Sequence, residues 1–215
     1  MIPFCISIGF SAESQKYLKE FNNNFLINVD SNSCFYHTTL AQGLTESFKN
    51  LVDYFKNSKN ILNYSKTIEN IRNWDLFMKE PSFITEDLYN NEINAVIMKY
   101  SNSEILGRYS FLILEEMKKA NFIYTYKNFP FLDFKDNLND NYKYALNYYY
   151  KVKAFNFCAH TTLGFNKVQK NLNLMSNNLN NIQIKKIHHE GIYISELNKY
   201  CMTPYKTRDL IIKLR

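Results

Sequence analysis

The sequence predicts an α/β (α+β) chain, one domain over residues 1–215 built from two related lobes around a shared cleft, and three observations carry that expectation. With 215 residues, 46% of them hydrophobic and 21% charged, the chain can bury a sizeable core, and wholesale disorder is excluded. β-type and helical hydrophobic periods alternate along it. The order strand, helix, strand also occurs twice, and each time the second strand carries the same tetrapeptide. It reads His37-Thr38-Thr39-Leu40 in the first copy and His160-Thr161-Thr162-Leu163 in the second, using two of only four histidines. The same tetrapeptide at the same point of a similar unit reads as a duplicated lobe, with insertions at about 58–92 and 121–153.

Phe4 to Phe10 is an apolar β-type run closed by Gly9 and by Ser11, a helix N-cap. A capping box places Glu or Gln three residues after the cap; here that residue is Ser14, so the cap is partial. Residues 13–22 then show helical spacing through Tyr17, Leu18 and Phe21, and Ser33 to Leu40 reads as a second strand. Over 45–57, Phe48, Leu51, Val52 and Phe55 share one helix face. Pro81 breaks the stretch 58–92, where Trp74 to Met78 reads as a short helix. Ile93 to Tyr100 is a strand. Residues 103–120 form a helix with Ile105, Leu106, Tyr109, Leu112, Ile113 and Met117 on one side, and Lys118 and Lys119 close it where the helix dipole favours them. Residues 121–153 are polar and aromatic, and the Tyr142 to Tyr150 cluster reads as core or lid scaffold. Phe155 to Phe165 is a strand, 167–180 a poor helix, and Ile182 to Leu197 and Asp209 to Leu214 are closing strands.

Charge narrows the function. The 26 Lys and Arg exceed the 20 Asp and Glu by only six, with no block of five or six like charges, which argues against coating long duplex nucleic acid. No apolar run approaches the ~18–20 residues of a membrane span. The N-terminal run lacks a basic leader region and a cleavage site. Cys5, Cys34, Cys158 and Cys201 are scattered without a CxxC pair, as free thiols of a reducing compartment are. The expectation is a soluble, cytoplasmic monomer with no membrane partner.

Alternation along a strand puts residues two apart on one face. His37 and Thr39 therefore project together with Phe35, and His160 and Thr162 with Cys158, while Thr38, Leu40, Thr161 and Leu163 face away and pack. Two imidazoles with pKa near 6.5 on opposite sides of a phosphorus can take one proton from the attacking oxygen and give another to the departing one. Two threonine hydroxyls can donate to the non-bridging oxygens, where charge grows. The scheme calls for no metal and no cofactor. Against it stands the ordinary role of a strand histidine, which is structural, and Cys158 reads as a buried thiol. His188 and His189 are adjacent, so they point to opposite faces and do not share an ion; they read as exposed strand histidines.

Two His-x-Thr motifs, one in each half, resemble the 2H phosphoesterase superfamily, which includes RNA 2′,3′-cyclic phosphodiesterases, also called 2′-5′ RNA ligases. Phe4-Cys5-Ile6-Ser7-Ile8 looks like that family's first strand, and Gly191 to Asn198 with Pro204 to Ile211 like its closing pair. The resemblance implies a bilobal fold, with two pseudo-symmetric antiparallel-sheet lobes and outer helices around a central cleft. It implies a metal-independent phosphodiesterase acting on a small nucleotide or oligonucleotide: a 2′,3′-cyclic phosphate, a 2′-5′ oligonucleotide or a cyclic oligonucleotide. The matching catalytic residues are His37, Thr39, His160 and Thr162; Phe35, beside His37, and Tyr205, in the closing motif, are candidate substrate contacts. A non-catalytic nucleotide- or RNA-binding module and a reversible ligase-type transesterification stay open as alternatives.

Overall fold

A computed structural model describes residues 2–25, 35–72, 78–84, 93–100, 103–122, 159–167, 188–197 and 207–214. In chain order the elements are β1 (Ile2–Phe10), α1 (Ala12–Phe25), β2 (His37–Thr45), α2 (Phe48–Asn57), α3 (Lys59–Arg72), β3 (Met78–Ile84), β4 (Ile93–Tyr100), α4 (Ser103–Lys119), β5 (His160–Lys167), β6 (His189–Glu196) and β7 (Arg208–Lys213). The strands form one seven-stranded sheet in the order β3-β4-β5-β2-β1-β6-β7, with every neighbouring pair antiparallel. The fold is thus α+β.

Alternation decides which side of the sheet is core. Phe4, Ile6, Ile8 and Phe10 of β1, Leu40 and Ala41 of β2, Met98 of β4, Leu163 of β5, and Ile192 and Ile194 of β6 are buried in one cluster. Leu18 of α1, Leu51, Val52 and Phe55 of α2, Ile61 of α3, and Leu106, Tyr109, Ile113 and Met117 of α4 complete it. All four helices therefore cover the same face of the sheet. Burying an aliphatic or aromatic side chain of this kind stabilises the fold by about 1.5–3 kcal/mol each. The intervening strand residues, Cys5, Ser7, Gly9, His37 and Thr39 among them, project from the other face.

The repeated unit is visible in the topology. β1-α1-β2 and β4-α4-β5 lie side by side, joined where β2 pairs with β5. The helices cross that seam, α1 packing on β5 and α4 on β2. Each copy also carries a β-bulge one residue after its His-x-Thr motif. Ser7 faces Thr39 but Ile6 faces Ala41, which leaves Leu40 extra; Ile97 faces Thr162 but Val96 faces Gly164, which leaves Leu163 extra. A bulge strands a backbone carbonyl, and the Ser110 hydroxyl of α4 donates to that of Leu40. At the seam, on the core side, the hydroxyls of Thr38 and Thr161 are 2.9 Å apart and hydrogen-bonded, both fully buried.

Helix boundaries follow their caps. Ser11 Oγ accepts from Ser14 N at 3.3 Å, and Ser14, standing where a capping box has Glu, instead accepts from His188 N at 2.8 Å and so ties α1 to the start of β6. Ser47 Oγ accepts from Asn50 N, so α2 begins at Phe48 rather than at 45. The segment expected as an insertion, 58–92, supplies α3 and the edge strand β3. Pro81 lies inside β3 instead of breaking the chain, and an edge strand tolerates a residue that cannot donate to the ladder. Met78 opens that strand; Trp74 to Phe77, most of the expected short helix, lie outside the described residues, as do 123–158 and 168–187. β2 starts at His37, later than the expected Ser33, and runs on to Thr45. Among the described residues no helix is long and apolar enough to cross a membrane.

Because the Thr38 and Thr161 hydroxyls satisfy each other, Thr38→Val is expected to cost about 1–3 kcal/mol by leaving its partner buried and unbonded, and Thr161→Val likewise. The double variant recovers most of the loss. Urea unfolding of the four proteins measures this coupling; simple additivity would show that the pair does not join the two copies.

Candidate active site

The pairing of β2 with β5 is registered at Thr38 opposite Thr161. One step either way along antiparallel strands sets His37 opposite Thr162 and Thr39 opposite His160. The two His-x-Thr motifs thus meet across the seam on the face away from the helices. All four side chains are partly exposed.

His37 is held from two sides. The Gln15 amide of α1 clamps the residue before it, Nε2 donating to Tyr36 O and Oε1 accepting from Tyr36 N, each at 2.7 Å. The ring's Nδ1 lies 3.1 Å from the Phe35 carbonyl, which can only accept, so Nδ1 carries the hydrogen and Nε2 is the basic nitrogen of the neutral ring. Loss of hydration lowers the imidazole pKa from 6.5 to about 4; the bond to Phe35 opposes this in part, and the nearby His160 imidazole pushes it further down. That last influence puts the two rings within electrostatic reach. Thr39 Oγ1 accepts from the Cys5 thiol at 3.7 Å, which leaves the hydroxyl's own hydrogen to be donated elsewhere. Burial pushes Cys5 up to about 12, against the pull of Thr39, so this thiol stays protonated.

Phe35 lies against His37 as alternation requires, with centroids 5.5 Å apart. Its ring is only 4% exposed, meets Tyr193 edge-on at 5.8 Å and has the Arg208 guanidinium 4.8 Å from its centroid. It supports the imidazole, and Tyr193 and Arg208 cover its ring. Arg208 also sits 4.6 Å from the Tyr193 ring. Tyr193 leans over Gly9, where an added Cβ would come within 2.6 Å of the ring; glycine there is a packing requirement. Tyr205 and Cys158 lie outside the described residues.

Several residues on this face escaped the sequence reading. Lys99 stands opposite His160 and Ile97 opposite Thr162 on β4, whereas the matching positions on β1 are Gly9, opposite His37, and Ser7, opposite Thr39. Gln42 faces Cys5 on this side, because the bulge at Leu40 shifts the alternation by one residue; without the bulge Ala41 would stand here. Ser195 and Arg208 follow across β6 and β7. His189 is buried against the Phe10 ring at 5.2 Å rather than exposed, while His188 is exposed as expected. Among the described residues no three His, Cys, Asp or Glu side chains gather as metal ligands.

A separate concavity of about 570 Å³ lies on the helix side, around Glu116. The Glu116 carboxylate there accepts from Tyr54 Oη (3.2 Å), Ser58 Oγ (3.3 Å), Asn60 Nδ2 (2.9 Å) and Lys119 Nζ (2.8 Å). A carboxylate so fully engaged clamps the α2–α3 junction to α4; the chemistry-bearing groups are on the other face. The chain matches no protein-family model and no curated protein.

His37 makes stability pH-dependent. The unfolded chain takes up this proton near pH 6.5 and the folded chain only near 4, so stability falls as pH drops through that window. At ~1.4 kcal/mol per unit the loss is on the order of 3 kcal/mol, and urea unfolding at pH 8 and pH 4 is expected to show that much less acid sensitivity in His37→Gln than in wild type.

Proposed function

We infer that the protein is a phosphodiesterase that cleaves a small nucleotide or oligonucleotide by two-histidine acid–base catalysis, in the manner of the 2H phosphoesterase superfamily. The observation that carries this reading is the Thr38–Thr161 register, which aims both His-x-Thr motifs at one point. On the same reading the two strand-helix-strand copies are pseudo-symmetric lobes, and the cleft lies over the β2–β5 seam.

The geometry supports distinct roles. His37 is neutral at physiological pH and hydrogen-bonded through Nδ1, so its Nε2 suits the general base that takes a proton from water or from a ribose 2′-hydroxyl. His160, across the seam, then protonates the departing oxygen. Thr39 and Thr162 donate to the non-bridging oxygens and hold the charge that grows there. Lys99, beside His160, adds positive potential for a phosphate. The scheme draws on no metal, and the protein is read as a cytoplasmic monomer acting without a membrane partner.

The test is hydrolysis of a panel of 2′,3′-cyclic nucleotides, 2′-5′ and 3′-5′ oligoadenylates and cyclic oligonucleotides in EDTA. Wild type is expected to turn over at least one, and His37→Ala and His160→Ala each to lose at least ~10²-fold in rate while remaining folded. Near-wild-type turnover by either single variant would sink the assignment. With His37 as base, kcat/KM holds as pH falls to 5 and drops on a limb near 4; a limb near 6.5 would hand the base role to another group.

A further inference from the structure

Gln15 is a polar residue on the buried face of α1, which it shares with Leu18 three residues on. It is 6% exposed and uses both ends of its carboxamide on a single residue, donating to Tyr36 O and accepting from Tyr36 N at 2.7 Å each. It is the fourth residue of α1; the fourth residue of α4, in the second copy, is Leu106, packed in the apolar core. A hydrocarbon serves the packing at such a place. The carboxamide therefore has a further use.

Peptide geometry identifies it. The C=O of Phe35 and the N–H of Tyr36 belong to one planar unit and point in opposite directions. Gln15 holds the N–H edge of that plane, and the carbonyl edge accepts from His37 Nδ1 at 3.1 Å. The C=O of Tyr36 belongs to the next plane, whose N–H is that of His37 itself, and Gln15 holds that plane too. Both planes leading to the imidazole are thus fixed by one side chain reaching down from the helix. Hydrogen bonds in a chain polarise one another, so the bond to Tyr36 N also makes the Phe35 carbonyl a stronger acceptor. The partner of Nδ1 decides which ring nitrogen of a neutral imidazole keeps the hydrogen. With that carbonyl out of place the hydrogen can sit on Nε2, which is then a donor and no base.

We propose that Gln15 is a positioning residue of the active site, which acts through the Phe35–Tyr36 peptide to keep the hydrogen of His37 on Nδ1 and the lone pair on Nε2. The consequence for catalysis rests on the two-histidine reading above; the consequence for the tautomer does not. Leu106 cannot make such a clamp, so the device belongs to the copy that supplies the base.

The experiment compares wild type with two variants. Gln15→Met keeps the volume and removes both hydrogen bonds; Gln15→Glu has a carboxylate that still accepts from Tyr36 N but does not donate to Tyr36 O. Nitrogen NMR of the imidazole rings at neutral pH reads the tautomer without any substrate. Wild type and Gln15→Glu are expected to hold the hydrogen on Nδ1 of His37, and Gln15→Met to show both tautomers. On 2′,3′-cyclic AMP, kcat of Gln15→Met is expected to fall about tenfold, the size of one ordinary hydrogen bond, with KM little changed, and Gln15→Glu to fall less. In a His37→Ala background the Gln15→Met loss should vanish, which a general weakening of the fold would not bring about. A Gln15→Met protein that keeps the single Nδ1–H tautomer overturns the proposal, as does wild-type kcat or a loss that persists in full without His37. If Gln15→Met does not fold, Gln15→Glu decides: the hydrogen retained on Nδ1 supports the proposal, and its transfer to Nε2 overturns it. If wild type leaves the probe uncleaved, the phosphodiesterase reading fails on that substrate and the tautomer alone decides the positioning.

Discussion

The cross-strand pair at Thr38 and Thr161 is the constraint on which the rest of the molecule depends. It is the registered contact between β2 and β5, and its two hydroxyls bond in a fully buried setting. Shifting that register by one residue would turn a histidine of one motif toward the helices and leave the other alone on the far face. Threonine suits the position because it is β-branched, fits the pleat and carries a hydroxyl that only the same residue on the partner strand satisfies so compactly. Core packing and site assembly are therefore one event at this point.

The two faces of the sheet follow different rules. The helix side is apolar and closely packed, with Ser110 bonded to the stranded carbonyl of Leu40 and four donors to the Glu116 carboxylate, while Tyr109 Oη is buried there without a hydrogen-bond partner. The opposite side carries histidines, threonines, serines and cations, several buried without full satisfaction. That burial has a use: it strips hydration from His37 and keeps it neutral, and Gln15 and the Phe35 carbonyl hold the ring's backbone and tautomer in place. The same burial makes the site a source of acid sensitivity for the whole fold.

Much of this was legible in the sequence. The repeated His-Thr-Thr-Leu, read with strand alternation, placed His37, Thr39, His160 and Thr162 on one side and Thr38 and Thr161 on the other, as found. The apolar spacing of α2 and α4 named most of their buried residues. What escaped did so for physical reasons. A β-bulge has no signature in a run such as Leu40-Ala41-Gln42, so the arrival of Gln42 at the site could not be foreseen. Ser195 and Arg208 reach the site through a sheet order, β2-β1-β6-β7, that local periodicity does not encode. Pro81 misled because proline breaks central strands, and only the topology shows β3 to be an edge. Phe35 was placed beside His37 correctly, but its covering by Arg208 and Tyr193 comes from strands far away in the chain.

The most direct test of the account is an NMR titration of the histidine imidazoles in wild type and in His160→Ala. The account predicts His37 as the Nδ1-protonated tautomer at neutral pH, with a midpoint near 4 that moves upward once His160 is removed. A midpoint near 6.5 that ignores the loss of His160 would mean that the two motifs do not share a site, and the acid–base pair would fall with it.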